Sequence, residues 1–322
     1  MGRVSVIVPV YNTMGYLADS MDSLRRQTYE NIQVICVDDG STDGSREYLR
    51  SVAKVDSRIE LVETAHRGAG PARNTGIRHA DGEFFLFLDS DDVFSADMVA
   101  TAVASLGDSD VCVYRSSLDW SVHQELLPRS PVFFLGDLER TAFDVFQAWA
   151  WDKLWRASVI HRYGIRFQDV PIHNDARFVL TALACTRAVS FCTANLLTKV
   201  DRVDNIMNGP GRTTYPEVLA SVVRGTANSL RGVGMFAAYE KAFLNWAVGF
   251  MLWDLETCPS QVFARKYAAV HMLIHELDLE SRPREWFHAP WRIDEIRDIA
   301  GLEPLEYAVT RMRLWRNTID LH

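Results

Sequence analysis

The chain has 322 residues, of which 48% are hydrophobic and 24% charged, and its formal net charge is -8. This composition excludes disordered and fibrous proteins, and the length predicts one large domain or two small ones. An acidic chain is a poor general binder of nucleic acid, because duplex binding depends on neutralising phosphates, so we expect no nucleic-acid partner. Five cysteines without a C-x-x-C pair argue against a disulfide scaffold or a zinc ribbon and predict a reducing compartment.

The sequence also bears on location. It contains neither a secretory-signal pattern nor the ~18 uncharged apolar residues that a membrane span needs. The nearest stretch, residues 242–253, is broken by Asn245 and predicts a buried helix. We therefore expect a cytoplasmic protein, and a peripheral position at the inner face of the plasma membrane stays open.

The first hundred residues alternate strand and helix patterns. Residues 4–8 form a continuous apolar run, which is typical of a strand buried on both faces. The further elements predicted in this part are strands at 32–37, 59–62 and 84–88, and helices around 17–24, at 45–52 with Ser41 or Asp43 as cap, and at 71–79. This order predicts an α/β fold with a mostly parallel sheet covered by helices on both faces.

Beyond residue 110 the alternation loosens. The elements predicted there are strands at 111–114, 132–135, 188–192 and 196–203, and a helix at 175–185. After Gly211 the pattern becomes helical nearly to the end, with breaks at prolines. We therefore divide the chain into residues 1–211 and a C-terminal helical region, residues 212–322.

Three polar clusters follow predicted strands, where ligands of parallel sheets bind. They are residues 9–12 (PVYN), 38–43 (DDGSTD) and 89–92 (DSDD). The close carboxylates of Asp89, Asp91 and Asp92 favour a hard divalent metal, since like charges so near each other need a cation. The alternative for this last cluster is a solvated turn that caps the next helix at Ser95.

Two phosphate-binding motifs can be tested directly. The sequence has no G-x-x-x-x-G-K-[ST], and the start of a G-x-G-x-x-G at Gly68 fails because Arg73 occupies the sixth place. The predicted sheet therefore lacks a glycine-rich phosphate cradle, and a metal at the acidic loop would have to hold a diphosphate instead.

Four ordered motifs within residues 4–92 carry a specific resemblance: VSVIVPVYN, VDDGSTD, GAGPARNTGI and FLDSDD. With them the chain resembles the N-terminal half of a family 2 glycosyltransferase of the GT-A fold. The resemblance implies inverting transfer of a sugar from a nucleotide diphosphate donor, usually a UDP-sugar, assisted by Mn²⁺ or Mg²⁺.

The same resemblance implies roles for single residues. Tyr11 is expected near the base, Asp39 on the uracil and Arg73 near the nucleotide. Asp91 is expected to bind the metal directly, with Asp89 also a ligand and nearer the ribose. The neighbours expected to complete this donor site are Pro9, Asn12 and Ser90.

The second half carries a weaker resemblance, in WDKLW (151–155), YGIRF (163–167) and HNDARF (173–178). It implies that Asp175 is the general base, whereas Asn174 stands where the family usually has Glu. The alternative for Asp175 is an N-cap of the following helix. The other candidates in this half are Lys153 and Arg202 for the donor, Trp151 and Asn174 for the acceptor, His173 as a metal ligand or flanking residue, and residues 209–212 as a loop closing over the donor.

Residues 214–322 contain no readable motif. Aromatic residues at helical spacing predict core packing, with a dimer face or a surface for a lipid-linked acceptor as alternatives; they are Phe243, Trp246, Phe250 and Trp253. The arginines of the last predicted helix leave contact with an anionic bilayer open; they are Arg311, Arg313 and Arg316.

The sequence therefore predicts a bacterial-type glycosyltransferase of polysaccharide biosynthesis. Its expected partners are a UDP-sugar donor and a glycan or lipid-linked acceptor, and a homo-oligomer stays open. Two alternatives remain: a nucleotide-sugar-binding protein without turnover, which the Asn174 departure favours, and a nucleotidyltransferase, which would show a glycine-rich loop after the first strand.

Overall fold

The computed structural model describes residues 2–118, 132–134, 142–201 and 211–319. The strands are β1 (Val4–Val10), β2 (Ile32–Asp38), β3 (Ile59–Glu63), β4 (Phe84–Phe87), β5 (Val93–Phe94), β6 (Val111–Ser116), β7 (Val132–Phe134), β8 (Lys153–Arg156) and β9 (Ala188–Thr198). The helices of the first 200 residues are α1 (Met14–Arg25), α2 (Ser45–Ala53), α3 (Ala69–His79), α4 (Met98–Leu106), α5 (Ala142–Val145), α6 (Ala157–Arg162) and α7 (Asp175–Ala184). The C-terminal helices are α8 (Gly211–Thr214), α9 (Val218–Gly232), α10 (Phe236–Glu256), α11 (Phe263–Glu276), α12 (Pro290–Gly301) and α13 (Pro304–Ile319).

One mixed sheet organises the described residues, in the order β3-β2-β1-β4-β8-β6-β9-β5, with β7 also paired to β9. Its first four strands are parallel, as predicted, because each is reached through a helix. The strand β8 is antiparallel to both β4 and β6, and β9 is antiparallel to β5. The predicted α/β fold is confirmed, and its sheet is parallel over β3-β2-β1-β4 and mixed beyond β4.

Hydrophobic clusters cover the two faces of this sheet, since β1 and β2 are buried along their whole length. Val6 and Val8 face α1 and α4 on one side, whereas Ile7 faces α3, α7 and the C-terminal helices on the other. The cluster that contains Ile7 continues from the sheet into α12. The sheet and the C-terminal helices therefore share this hydrophobic core, and the division of the chain at residue 211 stays a prediction. None of the described helices combines the length and apolar character that a membrane span requires.

Several local predictions were wrong. The cap position of α2 is Gly44, in the left-handed conformation, rather than Ser41 or Asp43. Asp97, not Ser95, precedes α4, and β9 runs continuously where two strands were expected. Asp175 lies inside the first turn of α7 and not at its cap, so its carboxylate is directed to other partners.

Candidate active site

The loops after β1 and β2 are joined by hydrogen bonds. Val10 is opposite Asp38 in the parallel register, so both loops leave the sheet at the same edge. Asn12, with a positive φ of 50°, donates its backbone N–H to Ser41 Oγ (3.1 Å), and its Oδ1 accepts from Thr42 N–H (2.8 Å). Pro9 is buried within β1 opposite Val37. The two loops thus form one rigid rim beyond the sheet.

Asp39 is buried at this rim and holds the next loop. Its carboxylate accepts the N–H groups of Arg67 (3.0 Å) and Gly68 (2.7 Å) and lies 2.9 Å from His66 Nδ1. Tyr11 stacks on the His66 ring with centroids 3.9 Å apart and keeps 44% of its surface exposed. An exposed ring beside a fixed carboxylate offers a stacking face and an acceptor to a nucleobase.

The acidic loop after β4 gathers three carboxylates. Asp89, Asp91 and Asp92 each offer an oxygen atom, and these atoms lie within 4.8 Å of one another. Oxygen ligands at such spacing suit a hard divalent cation, so the residues present fit a metal. Asp89 and Asp91 are half-buried, whereas Asp92 and the neighbouring Ser90 are buried.

Lys199, just past the end of β9, reaches into this cluster. Its Nζ lies 3.1 Å from Asp89 Oδ2 and 2.5 Å from Asp92 Oδ2. Burial raises the pKa of Asp92 to about 7, and the charge of Asp89 acts in the same direction. Burial would also raise the pKa of Asp89, but the adjacent Lys199 and Arg73 hold it well below its usual range. Sequence analysis did not assign Lys199 to the site.

Arg73 connects the acidic loop to the candidate base. The guanidinium is buried and donates to Asp89 Oδ1 (2.6 Å), Asp175 Oδ1 (2.9 Å) and Asn174 Oδ1 (2.8 Å). Burial alone would lower its pKa, but the charges of Asp175 and Asp89 outweigh this effect, and the pKa is raised. Arg73 is therefore a fixed cation that holds two carboxylates from distant parts of the sequence in one place.

Asp175 has a second partner on the opposite oxygen. Its Oδ2 accepts the Ala150 N–H at 3.2 Å, and 17% of its side chain remains exposed. Burial raises the pKa of Asp175 although Arg73 opposes this. A carboxylate that is raised in pKa yet still reachable from solvent is better suited to accept a proton than an ordinary surface aspartate.

Lys153 contacts the peptide unit that joins Trp149 to Ala150, the unit whose N–H group binds Asp175. The fully buried Nζ donates to the carbonyl oxygens of Trp149 and Gln147, both at 2.9 Å, and to Asp152 Oδ1 at 2.5 Å. The Trp149 carbonyl and the Ala150 N–H belong to one peptide unit. Lys153 therefore orients and polarises the group that donates to Asp175.

The remaining candidates take varied places. Trp151 is buried, stacks on Trp149 with centroids 4.8 Å apart, and lies beneath the Lys199 ammonium, 4.8 Å from its ring centroid. His173, with a positive φ of 58°, packs against aromatic side chains of α10. Arg202 and residues 209–210 of the predicted loop 209–212 lie outside the described residues.

Comparisons with known proteins identify a matching family model and related sequences. The family model "Glycosyl transferase family 2" matches residues 5–147. The putative glycosyltransferase EpsH of Bacillus subtilis is 32% identical over 201 residues, which are 58% of this chain and 58% of EpsH. The chain therefore spans less than two thirds of this curated relative.

Solved structures share the fold. Staphylococcus aureus TarS 1–349 in complex with UDP-GlcNAc has a TM-score of 0.70 at 22% identity, covering 92% of this chain and 88% of that one. The mannosyltransferase PcManGT of Pyrobaculum calidifontis, in complex with GDP-Man and Mn²⁺, has a TM-score of 0.51 at 21% identity, covering 93% and 87%. The described residues thus adopt the GT-A fold of these enzymes, and residues 5–147 match the model of glycosyl transferase family 2.

Proposed function

We propose that this protein transfers a sugar from a UDP-sugar to a hydroxyl group of a glycan or lipid-linked acceptor, with inversion at the anomeric carbon. The observation that carries the proposal is the Arg73 contact with both Asp89 and Asp175. It joins a carboxylate cluster suited to a metal and a carboxylate suited to a base within the span of one guanidinium.

The donor would lie along the rim formed by the loops after β1, β2 and β4. Tyr11 offers its exposed ring to the base, and Asp39 offers a carboxylate held by backbone N–H groups. Asp91 and Asp89 would hold Mn²⁺ or Mg²⁺, while Lys199 holds Asp92. When bound, the metal would neutralise charge on the departing diphosphate.

Asp175 would act as the general base. Its carboxylate takes the proton of the acceptor hydroxyl as that oxygen bonds to the anomeric carbon, while the carbon–oxygen bond to the diphosphate breaks and UDP leaves. Arg73 and the Ala150 N–H fix the carboxylate by one bond to each oxygen. No second carboxylate is needed as a nucleophile, and this single displacement inverts the configuration. We expect the reaction on the cytoplasmic side of the membrane.

The test combines UDP binding with turnover. Calorimetric titration of UDP and GDP, with and without Mn²⁺, is compared for wild type, Asp91→Ala and Asp175→Asn. UDP release from UDP-sugars is followed on the same proteins. Asp81→Asn is the matched control. Asp81 is an exposed carboxylate that pairs with Arg3, and it precedes β4, whereas the acidic loop follows that strand.

We expect Mn²⁺-dependent UDP binding in wild type and its loss in Asp91→Ala. Asp175→Asn should bind UDP and lose turnover by roughly 100-fold or more, the usual contribution of a general base. Absence of UDP and GDP binding under every metal condition would overturn the donor site. UDP binding without release from any UDP-sugar would instead favour a non-catalytic nucleotide-sugar-binding protein.

A further inference from the structure

This inference rests on the proposed function and concerns the acceptor. An acceptor hydroxyl must come within hydrogen-bond reach of Asp175 to lose its proton there. Its sugar ring must then lie against whatever surface adjoins the 173–175 segment. Among the described residues, that surface includes aromatic side chains of α10, a helix for which the sequence predicted core packing.

Three aromatic rings form a ladder along α10, here called the α10 ladder: Trp246, Phe250 and Trp253. The rings of Trp246 and Phe250 are inclined by 24° with centroids 5.3 Å apart, and those of Phe250 and Trp253 by 14° at 5.9 Å. The small interplanar angles and the centroid separations are typical of offset-stacked aromatic rings. Phe243 lies in the core, whereas Trp246 and Phe250 are half-buried and Trp253 is 39% exposed.

His173 joins the α10 ladder to the candidate base. Its ring stands nearly perpendicular to those of Phe250 and Trp253, at 82° and 84°, with centroids 4.9 and 5.9 Å away. The positive φ of His173 is an unfavourable backbone conformation for a residue with a side chain. Asp175 follows two residues later in the sequence, so His173 connects the α10 ladder to the segment that carries the candidate base.

A cation lies beside the ladder. A Cβ added at Gly249 would lie 3.0 Å from Arg292 Nη1, so the guanidinium crosses α10 at this glycine. The face of α10 that contacts His173 thus combines aromatic rings with hydrogen-bond donors. A pyranose ring has the matching character, because its C–H groups form an apolar face and its hydroxyls project from the edge.

We propose that the α10 ladder is the acceptor subsite and that Trp253 binds the apolar face of the acceptor sugar ring. Trp151, the acceptor contact expected from sequence, is buried beneath Lys199 and presents less surface for this purpose. A sugar seated on Trp253 directs a hydroxyl toward the 173–175 segment. The orientation of the stacked sugar ring then determines which of its hydroxyl groups is glycosylated.

The test is saturation-transfer NMR on the UDP-loaded protein. The probes are the methyl glycosides of GlcNAc, galactose, glucose and mannose, because the natural acceptor is unidentified. The variants are Trp253→Ala, the conservative Trp253→Phe, and Met272→Ala, an exposed apolar residue (48%) on the neighbouring α11. UDP affinity is measured on every sample, so that loss of the donor site is recognised separately.

We expect saturation of the ring protons of at least one glycoside in wild type and Met272→Ala, its loss in Trp253→Ala and its recovery in Trp253→Phe. An unchanged signal in Trp253→Ala, or no signal from any glycoside while UDP binds, would overturn the subsite and leave the proposed transfer intact. If Trp253→Ala instead loses only binding to phosphatidylglycerol vesicles, the ladder is a membrane contact and the inference is wrong. Failure of UDP binding in wild type would count against the proposed function itself.

Discussion

Two buried cations occupy contrasting regions of the molecule. Arg73, at the edge of the sheet, contacts Asp89 and Asp175, whose side chains remain 25% and 17% exposed. Lys266, in the C-terminal helices, contacts Asp254 at 2.5 Å, and both side chains are at most 3% exposed. A buried ion pair is therefore no sign of function by itself. What distinguishes Arg73 is that two carboxylates from distant parts of the sequence contact it and that solvent still reaches both.

The strongest test of this contrast removes each cation. Removing one partner of a buried pair costs about 3–5 kcal/mol, so both Arg73→Met and Lys266→Met should lower the melting temperature. Only Arg73→Met should also lower UDP release, by about 1,000-fold below both melting temperatures, because Asp175 and Asp89 then repel each other and lose their positions. Thermal unfolding and UDP release on the same samples measure the two effects.

The control for this pair is Lys266→Met with Asp254→Leu. Replacing both partners by apolar residues should recover much of the lost stability, because no charge remains buried alone. If Lys266→Met lowers turnover as much as Arg73→Met at equal folded fraction, the contrast between the two regions is wrong.

Two glycines, one in α3 and one in α9, test which of these helices positions residues 168–174, the segment that leads to Asp175. A Cβ at Gly70 in α3 would overlap the backbone carbonyl of Gln168, whereas a Cβ at Gly225 in α9 would meet only the Gln168 side chain, 2.5 Å from Oε1. Backbone cannot yield without moving residues 168–174, but a side chain can rotate. We expect Gly70→Ala to lower turnover by about 100-fold, the effect of an ångström-scale displacement of a catalytic group.

Gly225→Ala is the matched variant and should leave turnover near wild type. It should also raise the melting temperature slightly, since alanine is favoured over glycine in a helix by up to about 1 kcal/mol. Equal losses of UDP release in the two variants would show that α9, through Gln168, positions the base as strictly as α3 does.

These contacts mark how far the sequence could predict the site. The strand ends after β1, β2 and β4 were predictable, because apolar runs end in polar residues there and parallel strands meet at one edge. Lys199 was not predictable as a site residue. It reaches Asp89 across 110 positions only because β9 pairs with β5 at the end of the sheet. The Ala150 N–H was equally hidden, since backbone donors carry no residue-type signal.

Lys153 gives a smaller test, read from pH dependence. Asp175 accepts a proton only when deprotonated, so turnover falls as pH drops through its pKa. The Lys153 charge and the peptide that it polarises favour the deprotonated form, because Lys153 and Asp175 interact electrostatically. Lys153→Met should therefore raise the pKa of Asp175 and move the acidic limb of kcat/KM to higher pH.

A shift of one pH unit would lower kcat/KM about tenfold on that limb and leave it unchanged at the alkaline plateau. Asp152→Asn is the matched variant, because Asp152 is buried beside Lys153 and its negative charge interacts with Asp175 in the opposite sense. It should move the limb to lower pH. If the acidic limbs of both variants moved in the same direction, or if neither moved, Lys153 would contribute to packing only and not to the pKa of Asp175.

Tyr11 carries the smallest expected effect and tests the donor side alone. Its ring is held against His66 and stays 44% exposed, so a base can stack on it with little reorganisation. Loss of one stacking ring costs about 1 kcal/mol at the lower end of the usual range, so Tyr11→Ala should raise the Kd for UDP roughly fivefold. Tyr11→Phe should match wild type, because the stacking face is retained. Calorimetry with UDP measures both variants, and binding of methyl glycosides should not respond to either. If Tyr11→Ala weakened glycoside binding as well, donor and acceptor surfaces would not be separable between the sheet edge and α10.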